Sequence, residues 1–534
     1  MFTKSENFKE EYCAQIVKVG ELFPIENSDF LARTEVNGFE IVVGKNDVKE
    51  GDIMVYAKLE TEINAEFLSV NNQFELSERQ MNSNFEEVQN LLDTGKEEEA
   101  KKLVGYFNKY GRVRIVKLRN VPSRGCLFTI NSLIKWKPEV ANYDFNQCFV
   151  PNADGIIEPF CFDTIGEDLF VKAWVPRINV YAPSVKKSGL VKRNKRLKKF
   201  DRLIEGQFSL HYDTNQLEDN SWRLTPDTSV TISTKIHGTS HIVGNVLVKK
   251  PKNGIAYNIV IKKKERELKS LYKAEKRFYW QRKVNSNKIK KLKDYINSLY
   301  TVGYGKVTSS RTKIMNQYIN PRANESGGFY GTNYMYVSYG DLLYPYLIKG
   351  MTVYSEIFGY VTGKPDKVIQ GFKKGGKKVC FDYGCKPGEN KITPYRITVH
   401  NNDGTVTEWE VMEVYGWTIQ LLKDHPELAN KVVPIDIIYH GTLGDLYPNL
   451  DRETHWNTNV VKAIREDKAR FHFEEDEPLC KNKVPREGIV LRIDNDPKSE
   501  AFKLKAMKFL GKEKKAMDDG DVDIEMMEAY VDEQ

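Results

Sequence analysis

The stretch TISTKIHGTSHIVG, residues 231–244, alternates β-branched residues, stops at a lysine, and resumes the alternation after a glycine. Such alternation is typical of a β-strand with one buried face. A lysine that ends a buried strand is costly unless its amine has a role, because lysine is rarely buried without a partner. The tetrapeptide Lys235-Ile236-His237-Gly238 therefore indicates either a functional interruption of a strand or a hairpin with an exposed lysine. The rest of the chain has to decide between the two.

Length and composition predict a soluble protein of several domains. A chain of 534 residues is too long for one core, so two to four domains are expected. We find no apolar run of about 18 residues and no apolar signal core, which predicts a protein without a membrane span. We expect a cytoplasmic protein and a monomer. The seven cysteines suit a reducing compartment. Cys380 and Cys385 lack two further ligands at matching spacing, which argues against a zinc site.

The net charge of +7 is unevenly distributed. Residues 186–199 hold eight basic side chains and no acid, and residues 262–293 hold fourteen basic side chains against three acidic ones. Residues 518–533 hold eight acids and no base. Four aromatic residues interleave the second basic run: Tyr272, Phe278, Tyr279 and Trp280. This segregation favours a nucleic-acid partner for the basic segments; the alternative is a solvated linker and a solvated helix face.

Four regions follow from the pattern of apolar residues. Residues 1–135 contain five or six short β-rich segments and a helical insert, which predicts a small β-barrel such as an OB fold. Residues 136–200 are irregular and end in the basic linker. Residues 201–510 alternate strands and helices, with one long basic helix in an insert near 262–300, and residues 511–534 form an acidic tail.

Carboxylates and lysines occupy strand positions in the second half. Glu356 lies in VYSEIFGY, residues 353–360, and Glu487 lies in VPREGIVLRID, residues 484–494. Lys503 and Lys505 in AFKLKAMKF are two residues apart and hence on one strand face. These side chains and Lys235 converge if their strands share a sheet.

The ordered motifs K-x-H-G, S-E-I-F-G, E-G-I-V and K-L-K resemble those of the covalent nucleotidyltransferases, the polynucleotide ligases and mRNA capping enzymes. The KIHGT form is similar to the ligase-2 branch of RNA ligases. RVRIVKLRNVPSRGCLF, residues 112–128, and GEDLFVKAWVP, residues 166–176, resemble RNA ligases that carry an N-terminal OB domain and seal 3′-OH nicks. The resemblance covers roughly residues 11–510. It departs from the family pattern in the long basic insert and in the long span between Glu356 and Glu487.

This resemblance implies an α+β fold, in which an N-terminal OB-like β-barrel precedes a nucleotidyltransferase domain of antiparallel sheets flanked by helices. It also implies that Lys235 attacks the α-phosphate of ATP and forms a lysyl-adenylate. Lys503 and Lys505 would lower the pKa of the Lys235 amine by like-charge repulsion and offset charge on the phosphate. Glu487 would hold Mg²⁺ or Mn²⁺.

The remaining nucleotide contacts are carried over from the same family. Glu356 is expected to bind the ribose hydroxyls, and Gly238 and Arg311 are expected to contact the nucleotide. Tyr395 in ITPYRITV is the candidate for stacking on adenine, with a core aromatic as the alternative. His237 stands where most relatives carry aspartate, and we expect it to hydrogen-bond beside the phosphate or the RNA end.

The expected partner is a pair of RNA ends, a nicked duplex in particular. The adenylate would pass to a 5′-phosphate, and a 3′-OH would attack it with release of AMP. In the N-terminal region basic residues cluster in one short stretch and could track a phosphate backbone: Arg112, Arg114, Lys117, Arg119 and Arg124. Their alternative role is packing against the catalytic domain. Because all the ATP motifs lie between Lys235 and Lys505, we expect the N-terminal region to add no group to the nucleotide site.

Three other functions remain open at this point. The first is a DNA ligase or a GTP-dependent capping enzyme, but those families place an OB domain after the last motif, and only 29 residues follow Lys505. The second is a non-catalytic RNA-binding protein with a decayed ligase domain, which the intact motif residues argue against. The third is a purely structural role, which leaves the polar strand residues unexplained.

Overall fold

β-Strands form the framework of the chain in the computed structural model. It describes residues 1–119, 121–152, 157–174, 202–204, 206–212, 214–252, 254–277, 282–311, 314–315, 334–374, 377–453, 455–496 and 500–518. The predicted basic linker at 186–199, the aromatic residues at 278–280 and the predicted acidic tail from 519 onward lie outside the described residues.

The N-terminal part consists of short strands around an aromatic core. Its described strands are β1 (Phe2–Thr3), β2 (Ala14–Lys18), β3 (Phe23–Pro24), β4 (Leu31–Val36), β5 (Phe39–Gly44), β6 (Ile53–Ala57), β7 (Thr61–Ile63), β8 (Val116–Leu118), β9 (Val121–Ser123), β10 (Cys126–Thr129), β11 (Phe160–Phe162), β12 (Thr164–Ile165), β13 (Asp168–Leu169) and β14 (Val171–Ala173). The helices are α1 (Ala65–Val70), α2 (Phe85–Asp93), α3 (Glu97–Lys102) and α4 (Ile130–Trp136). The largest sheet runs β10-β6-β2-β11, and β3-β4-β5 form a second one.

The predicted connector, residues 136–200, contributes strands to this N-terminal part. β11 pairs with β2, β12 with β1 and β14 with β7, all antiparallel. Phe162 and Phe170, both fully buried, stack with their ring centroids 5.9 Å apart. The packing therefore continues through Ala173, past residue 135, where the sequence placed the end of the OB-like region.

The second part is built on two larger sheets. Its described strands are β15 (Arg202–Leu203), β16 (Asn215–Gln216), β17 (Ser229–Thr234), β18 (Thr239–Pro251), β19 (Tyr300–Ser309), β20 (Met351–Gly359), β21 (Gly371–Lys374), β22 (Lys377–Cys380), β23 (Asn390–His400), β24 (Val406–Glu408), β25 (Ile437–Thr442), β26 (Gly488–Ile493) and β27 (Ala501–Lys505). The helices are α5 (Gly254–Arg277), α6 (Arg282–Ser298), α7 (Tyr334–Leu343), α8 (Val411–Asp424), α9 (Leu443–Leu446), α10 (Trp456–Glu466), α11 (Lys468–Phe471) and α12 (Met507–Asp518).

One sheet runs β15-β18-β20-β23-β24 with β19 also paired to β18, and the other runs β16-β27-β26-β17-β25. Apart from the parallel pair β16–β27, the strands of both sheets pair antiparallel. Apolar residues of α7 and α8 cover the first sheet, and those of α10 cover the second. Helices on antiparallel sheets confirm the predicted α+β class.

The basic insert between β18 and β19 forms two helices, α5 and α6. The sequence predicted one long helix near 262–300, and the structure describes helix over Gly254–Arg277 and over Arg282–Ser298. α5 is 24 residues long but strongly charged. Among the described residues, no helix combines the length and the apolar character needed to cross a membrane.

Buried ion pairs connect the two parts of the chain. Lys58 Nζ lies 3.0 Å from Asp219 Oδ2, and Arg124 Nη1 lies 3.4 Å from Glu218 Oε1. Each of these four residues is buried. Burying charges is costly unless they are paired, so each part supplies the counter-ions that the other needs.

Candidate active site

Residues 235–238 cross from one sheet to the other, which explains why the strand pattern is interrupted. β17 ends at Thr234 in the second sheet, and β18 begins at Thr239 in the first. The N–H of Lys235 donates to the carbonyl of Gly488 at 3.0 Å and ties the crossing to β26. Gly238 packs against β20 so closely that a Cβ atom there would overlap the carbonyl oxygen of Ile357. The crossing leaves the Lys235 side chain facing a cavity.

That cavity has a volume of about 1250 Å³. Every residue that the family resemblance placed at the nucleotide lies on its wall: Lys235, His237, Gly238, Arg311, Glu356, Tyr395, Glu487, Lys503 and Lys505. The sequence suggested that these residues share one sheet, but in the structure they lie on two. Glu356 belongs to β20 of the first sheet and the two C-terminal lysines to β27 of the second, so the site lies where the sheets face each other.

Lys235 and Glu487 form the centre of the site. Lys235 Nζ lies 2.9 Å from Glu487 Oε1, and the two side chains are 24% and 3% exposed. Burial opposes the charge on Glu487, but Lys235, His237 and Lys505 together hold its pKa well below the ordinary value. Burial likewise opposes the charge on Lys235, but Glu487 and, less strongly, Glu356 together outweigh burial and raise the pKa of the amine. The expectation of a lowered pKa for Lys235 was therefore wrong for this state, because a carboxylate lies closer than the neighbouring lysines.

The two lysines of β27 point into the cavity, as their spacing predicted, but each has a carboxylate partner. Lys505 Nζ lies 3.0 Å from Glu513 Oε1 and 4.0 Å from Glu487 Oε1. Lys503 Nζ forms an ion pair with Glu11, a residue of the N-terminal part. Lys505 does lower the pKa of Lys235, as expected, but by less than Glu487 raises it.

His237 is enclosed by aromatic rings and faces the same carboxylate. Its ring centroid lies 4.8 Å from that of Phe381 and 5.1 Å from that of Phe509, both edge-on. Its Nδ1 is 3.4 Å from Glu487 Oε2, and its backbone N–H donates to the hydroxyl of Tyr383 at 2.8 Å. This geometry lets His237 orient Glu487.

Glu356 and Tyr395 lie on neighbouring strands of the first sheet. In β20, residues Met351–Gly359 are buried except Glu356, which is half-buried at the cavity. Tyr395 is the extra residue of a β-bulge, because Tyr354 pairs with Arg396 and Ser355 with Pro394. A bulge re-aims a side chain, and this one places Tyr395 on the cavity wall.

Two further residues on the cavity wall, Arg396 and His211, were not predicted from the sequence. Arg396 follows Tyr395 directly; its guanidinium lies 4.3 Å from the ring centroid of Tyr212, and its Nε donates to Glu408 at 2.7 Å. Burial and the surrounding cations, Arg311 first, lower the pKa of His211 to about 3. Arg396 could have been predicted because it follows Tyr395 directly in β23. His211 could not, because it lies outside any motif.

The N-terminal part lines the cavity as well, through Glu10, Glu11, Lys58 and Glu60 among others. The prediction that this region adds no group to the attack on ATP stays a prediction, although its side chains lie on the same cavity wall. Its motif-free sequence concealed the contribution, because ion pairs across the chain bring these residues to the site.

The predicted RNA-binding row divides into buried and exposed residues. Arg112 is buried, donates to both carboxylate oxygens of Glu60 at 2.8 and 2.9 Å, and lies 3.8 Å over the ring of Trp174. Arg124 is also buried against Glu218. The prediction that these two arginines belong to an exposed basic row was wrong, because both side chains are buried and paired with glutamates. Lys117 and Arg119 are exposed in the β8–β9 hairpin and Arg114 is half-buried beside it, so their RNA-binding role stays a prediction.

Glu487 is the candidate ligand for a divalent cation in the cavity. Within the described residues, no group of three or more His, Cys, Asp or Glu side chains could hold a metal. Glu487 is nevertheless ionised, buried and on the cavity wall. Mg²⁺ usually keeps several waters and takes one or two carboxylates together with substrate phosphates, so one such carboxylate is compatible with it.

Comparison with known proteins agrees with the N-terminal prediction. A family model described as an OB-fold domain matches residues 13–92, which include β2 to β7. The predicted N-terminal OB-like fold is therefore confirmed. Among curated proteins, no sequence matches this chain.

Solved structures of Naegleria gruberi RNA ligase are similar to the chain over nearly its whole length. An alanine variant with ATP and Mn has a TM-score of 0.45 at 14% identity, covering 94% of this chain and 99% of that chain. A second variant, with AMP and Mn, has a TM-score of 0.45 at 14% identity, covering 95% and 99%. The ligase with PPi has a TM-score of 0.42 at 14% identity, with the same coverage.

Proposed function

We propose that the chain is an ATP-dependent RNA ligase that joins a 3′-OH end to a 5′-phosphate end through a lysyl-adenylate. The observation that carries the proposal is the position of Lys235, whose Nζ lies in the cavity 2.9 Å from the ionised Glu487. Lys505 lies behind that carboxylate, at 4.0 Å. A lysine, a buried carboxylate and further cations on one wall are what attack on a polyphosphate requires.

In the first step a bond forms between Lys235 Nζ and the α-phosphorus of ATP. The bond from that phosphorus to pyrophosphate breaks, and a proton leaves Nζ. The amine must be neutral to attack, whereas Glu487 stabilises its protonated form in the structure. A cation that binds Glu487 would neutralise its charge and so end its stabilisation of the protonated Lys235 amine. Burial together with Lys505 then favours the neutral amine. A divalent cation held at Glu487 would supply that charge and polarise the phosphate.

The other residues on the wall position the substrate. Glu356 offers a carboxylate to the ribose hydroxyls, Tyr395 a ring to the adenine, and Arg311 and Lys503 positive charge to the phosphates. In the later steps the adenylate passes to the RNA 5′-phosphate, and the 3′-OH displaces AMP. Holding both ends in line is positioning work. We infer a nicked duplex as the substrate, acted on in the cytoplasm by a monomer.

The test is covalent labelling. The protein is incubated with α-labelled ATP or GTP and Mg²⁺ or Mn²⁺, denatured and run on a gel. We expect label from ATP, its loss in Lys235→Ala and its retention in Lys462→Ala, a control at an exposed lysine of α10. Label that survives in Lys235→Ala, or that comes mainly from GTP, would contradict the proposal. Sealing of nicked RNA against nicked DNA then separates the RNA ligase from a DNA ligase.

A further inference from the structure

The helical insert α5–α6 concentrates the positive charge of the chain. Residues 262–293 carry a net charge of +11, which exceeds the +7 of the whole protein, so the remainder is net negative. Among the described side chains, the exposed basic residues of the two helices outnumber the exposed acidic ones. The basic ones are Lys263, Arg266, Lys269, Lys288, Lys290, Lys291 and Lys293; the acidic ones are Glu267 and Asp294.

The insert has a fixed inner face and a basic outer face. In α6, Ile289, Leu292 and Ile296 are buried at helical spacing, while the lysines between them are exposed. Two bonds attach the hairpin to the strands that carry it. Lys249 Nζ donates to Asn297 Oδ1 at 3.2 Å, and the N–H of Lys252 donates to the carbonyl of Leu299 at 3.0 Å.

The strand that carries the insert starts at the candidate active site. β18 begins directly after Gly238 and runs without a break to Pro251, about 40 Å at the usual rise per residue. It pairs with β19 over ten residues and with β20 near its start. The far end of β18, where the insert is attached, therefore lies at a set distance from Lys235, on a sheet that two neighbouring strands stiffen.

We propose that α5 and α6, which are attached to the sheet about 40 Å of strand away from Lys235, bind the phosphate backbone of the RNA duplex on one side of the break. The inference rests on the proposed ligase function, since it takes the break to lie at Lys235. Lysine contacts to phosphates carry no sequence information and lose affinity as salt rises. Duplex RNA, which proteins recognise mainly by shape and backbone, suits such a surface. The acidic segment 518–533, with eight acids, is the competing occupant but does not neutralise the insert.

The test uses a variant with four exposed lysines of the insert replaced, Lys263, Lys288, Lys290 and Lys291, each →Gln. Glutamine has nearly the helix propensity of lysine, so the helices should persist. The control carries the same replacement at four exposed lysines in or next to other helices: Lys96, Lys102, Lys423 and Lys462. Three quantities are measured in the full-length proteins: self-labelling by ATP, kcat/KM for sealing, and binding of nicked RNA duplex by fluorescence anisotropy. The duplex arm is shortened on one side at a time, and salt is varied.

We expect the insert variant to keep its labelling and to seal a long-arm substrate with a kcat/KM lowered about tenfold, mostly through KM. The log–log salt dependence of binding should become shallower by about two to four. When the duplex arm is too short to span 40 Å, the wild type, the insert variant and the control variant should seal and bind the substrate equally well. Equal sealing and binding on every arm would overturn the proposal. So would equal RNA binding by the wild type and the insert variant after residues 519–534 are removed from both, since the insert would then make no contribution to RNA binding even without the acidic tail. If the wild type is not labelled, the proposed ligase function is refuted. Fluorescence anisotropy would still show whether the insert binds RNA.

Discussion

Lys58 in the N-terminal part lies 3.0 Å from Asp219 in the second part, and the two side chains are only 3% and 5% exposed. Burial lowers the pKa of Lys58, but Asp219 together with Cys13 and Cys161 outweighs burial and raises that pKa above the ordinary value. Close by, Glu218 is held by Arg124 from one part and Arg465 from the other. The charges at this boundary are therefore completed only when both parts are present.

We predict that Lys58→Met destabilises the protein by about 3–5 kcal/mol, because it leaves Asp219 charged, buried and unpaired. Urea unfolding followed by circular dichroism measures the loss. Lys49→Met, at an exposed position of the same part, is the control and should change the free energy of unfolding little.

The same ion pairs predict the effect of deleting residues 1–135. The deletion removes the partners of Asp219 and Lys503, so self-labelling should be lost together with sealing. This differs from the expectation from the sequence, in which the N-terminal region adds no group to the nucleotide site and either binds RNA or packs against the catalytic domain. A truncated protein that labels as efficiently as the full chain would show that the boundary pairs are dispensable.

Gly238→Ala should abolish labelling or unfold the site, since the added methyl group would overlap the carbonyl of Ile357 in β20. Gly416→Ala in α8 is the matched control, because a Cβ atom there meets nothing within 4 Å. Replacing a helical glycine by alanine should stabilise by about 0.4–1 kcal/mol. Thermal unfolding and labelling of both variants check the pair, and an active, stable Gly238→Ala protein would rule out the close packing.

Glu487→Gln should lower the pKa of Lys235, since burial and Lys505 would no longer be opposed by the carboxylate. The variant should therefore show faster modification of Lys235 by an acetylating reagent at neutral pH, but weaker self-labelling by ATP. Mass spectrometry of the Lys235 peptide over a range of pH gives the amine pKa. Glu513→Gln, whose carboxylate contacts Lys505, is the control. An unchanged profile in Glu487→Gln would mean that another group sets the pKa.

His241 predicts how stability depends on pH. It is wholly buried in β18, its Nε2 lies 3.0 Å from the carbonyl of Tyr336, and burial lowers its pKa from 6.5 to about 4. Between pH 6.5 and 4 the unfolded chain binds the proton and the folded chain does not, so this contribution is complete above 6.5 and falls as pH drops. The loss is roughly 3 kcal/mol over that window. His241→Gln should lose correspondingly less stability on acidification, whereas the control His455→Gln, at an exposed position, should follow the wild type.

Local motifs were predictable from the sequence, and long-range partners were not. Lys235 and Gly238 stand in one tetrapeptide, and Lys503 and Lys505 in one strand, so residue type and alternation place them. The ion pair of Lys503 with Glu11 joins residues at opposite ends of the chain, and no periodicity reports it. The local sequence around Arg112 does not show whether this side chain is exposed or buried, because its burial depends on residues that are distant in the sequence.

The N-terminal arginines allow that distinction to be tested by mutation. Arg112 pairs with Glu60 and lies over Trp174, so Arg112→Gln should lower stability and leave the salt dependence of RNA binding unchanged. Lys117 and Arg119 are exposed in the β8–β9 hairpin, so a Lys117→Gln, Arg119→Gln double variant should keep its stability. If these side chains contact phosphates, the log–log salt dependence of RNA binding should become shallower by about one to two. Denaturation and binding titrations at several salt concentrations check both variants. A salt dependence equal to the wild type in the double variant would remove the hairpin from the RNA-binding surface, and a shallower one in Arg112→Gln would show that the buried ion pair opens when RNA binds.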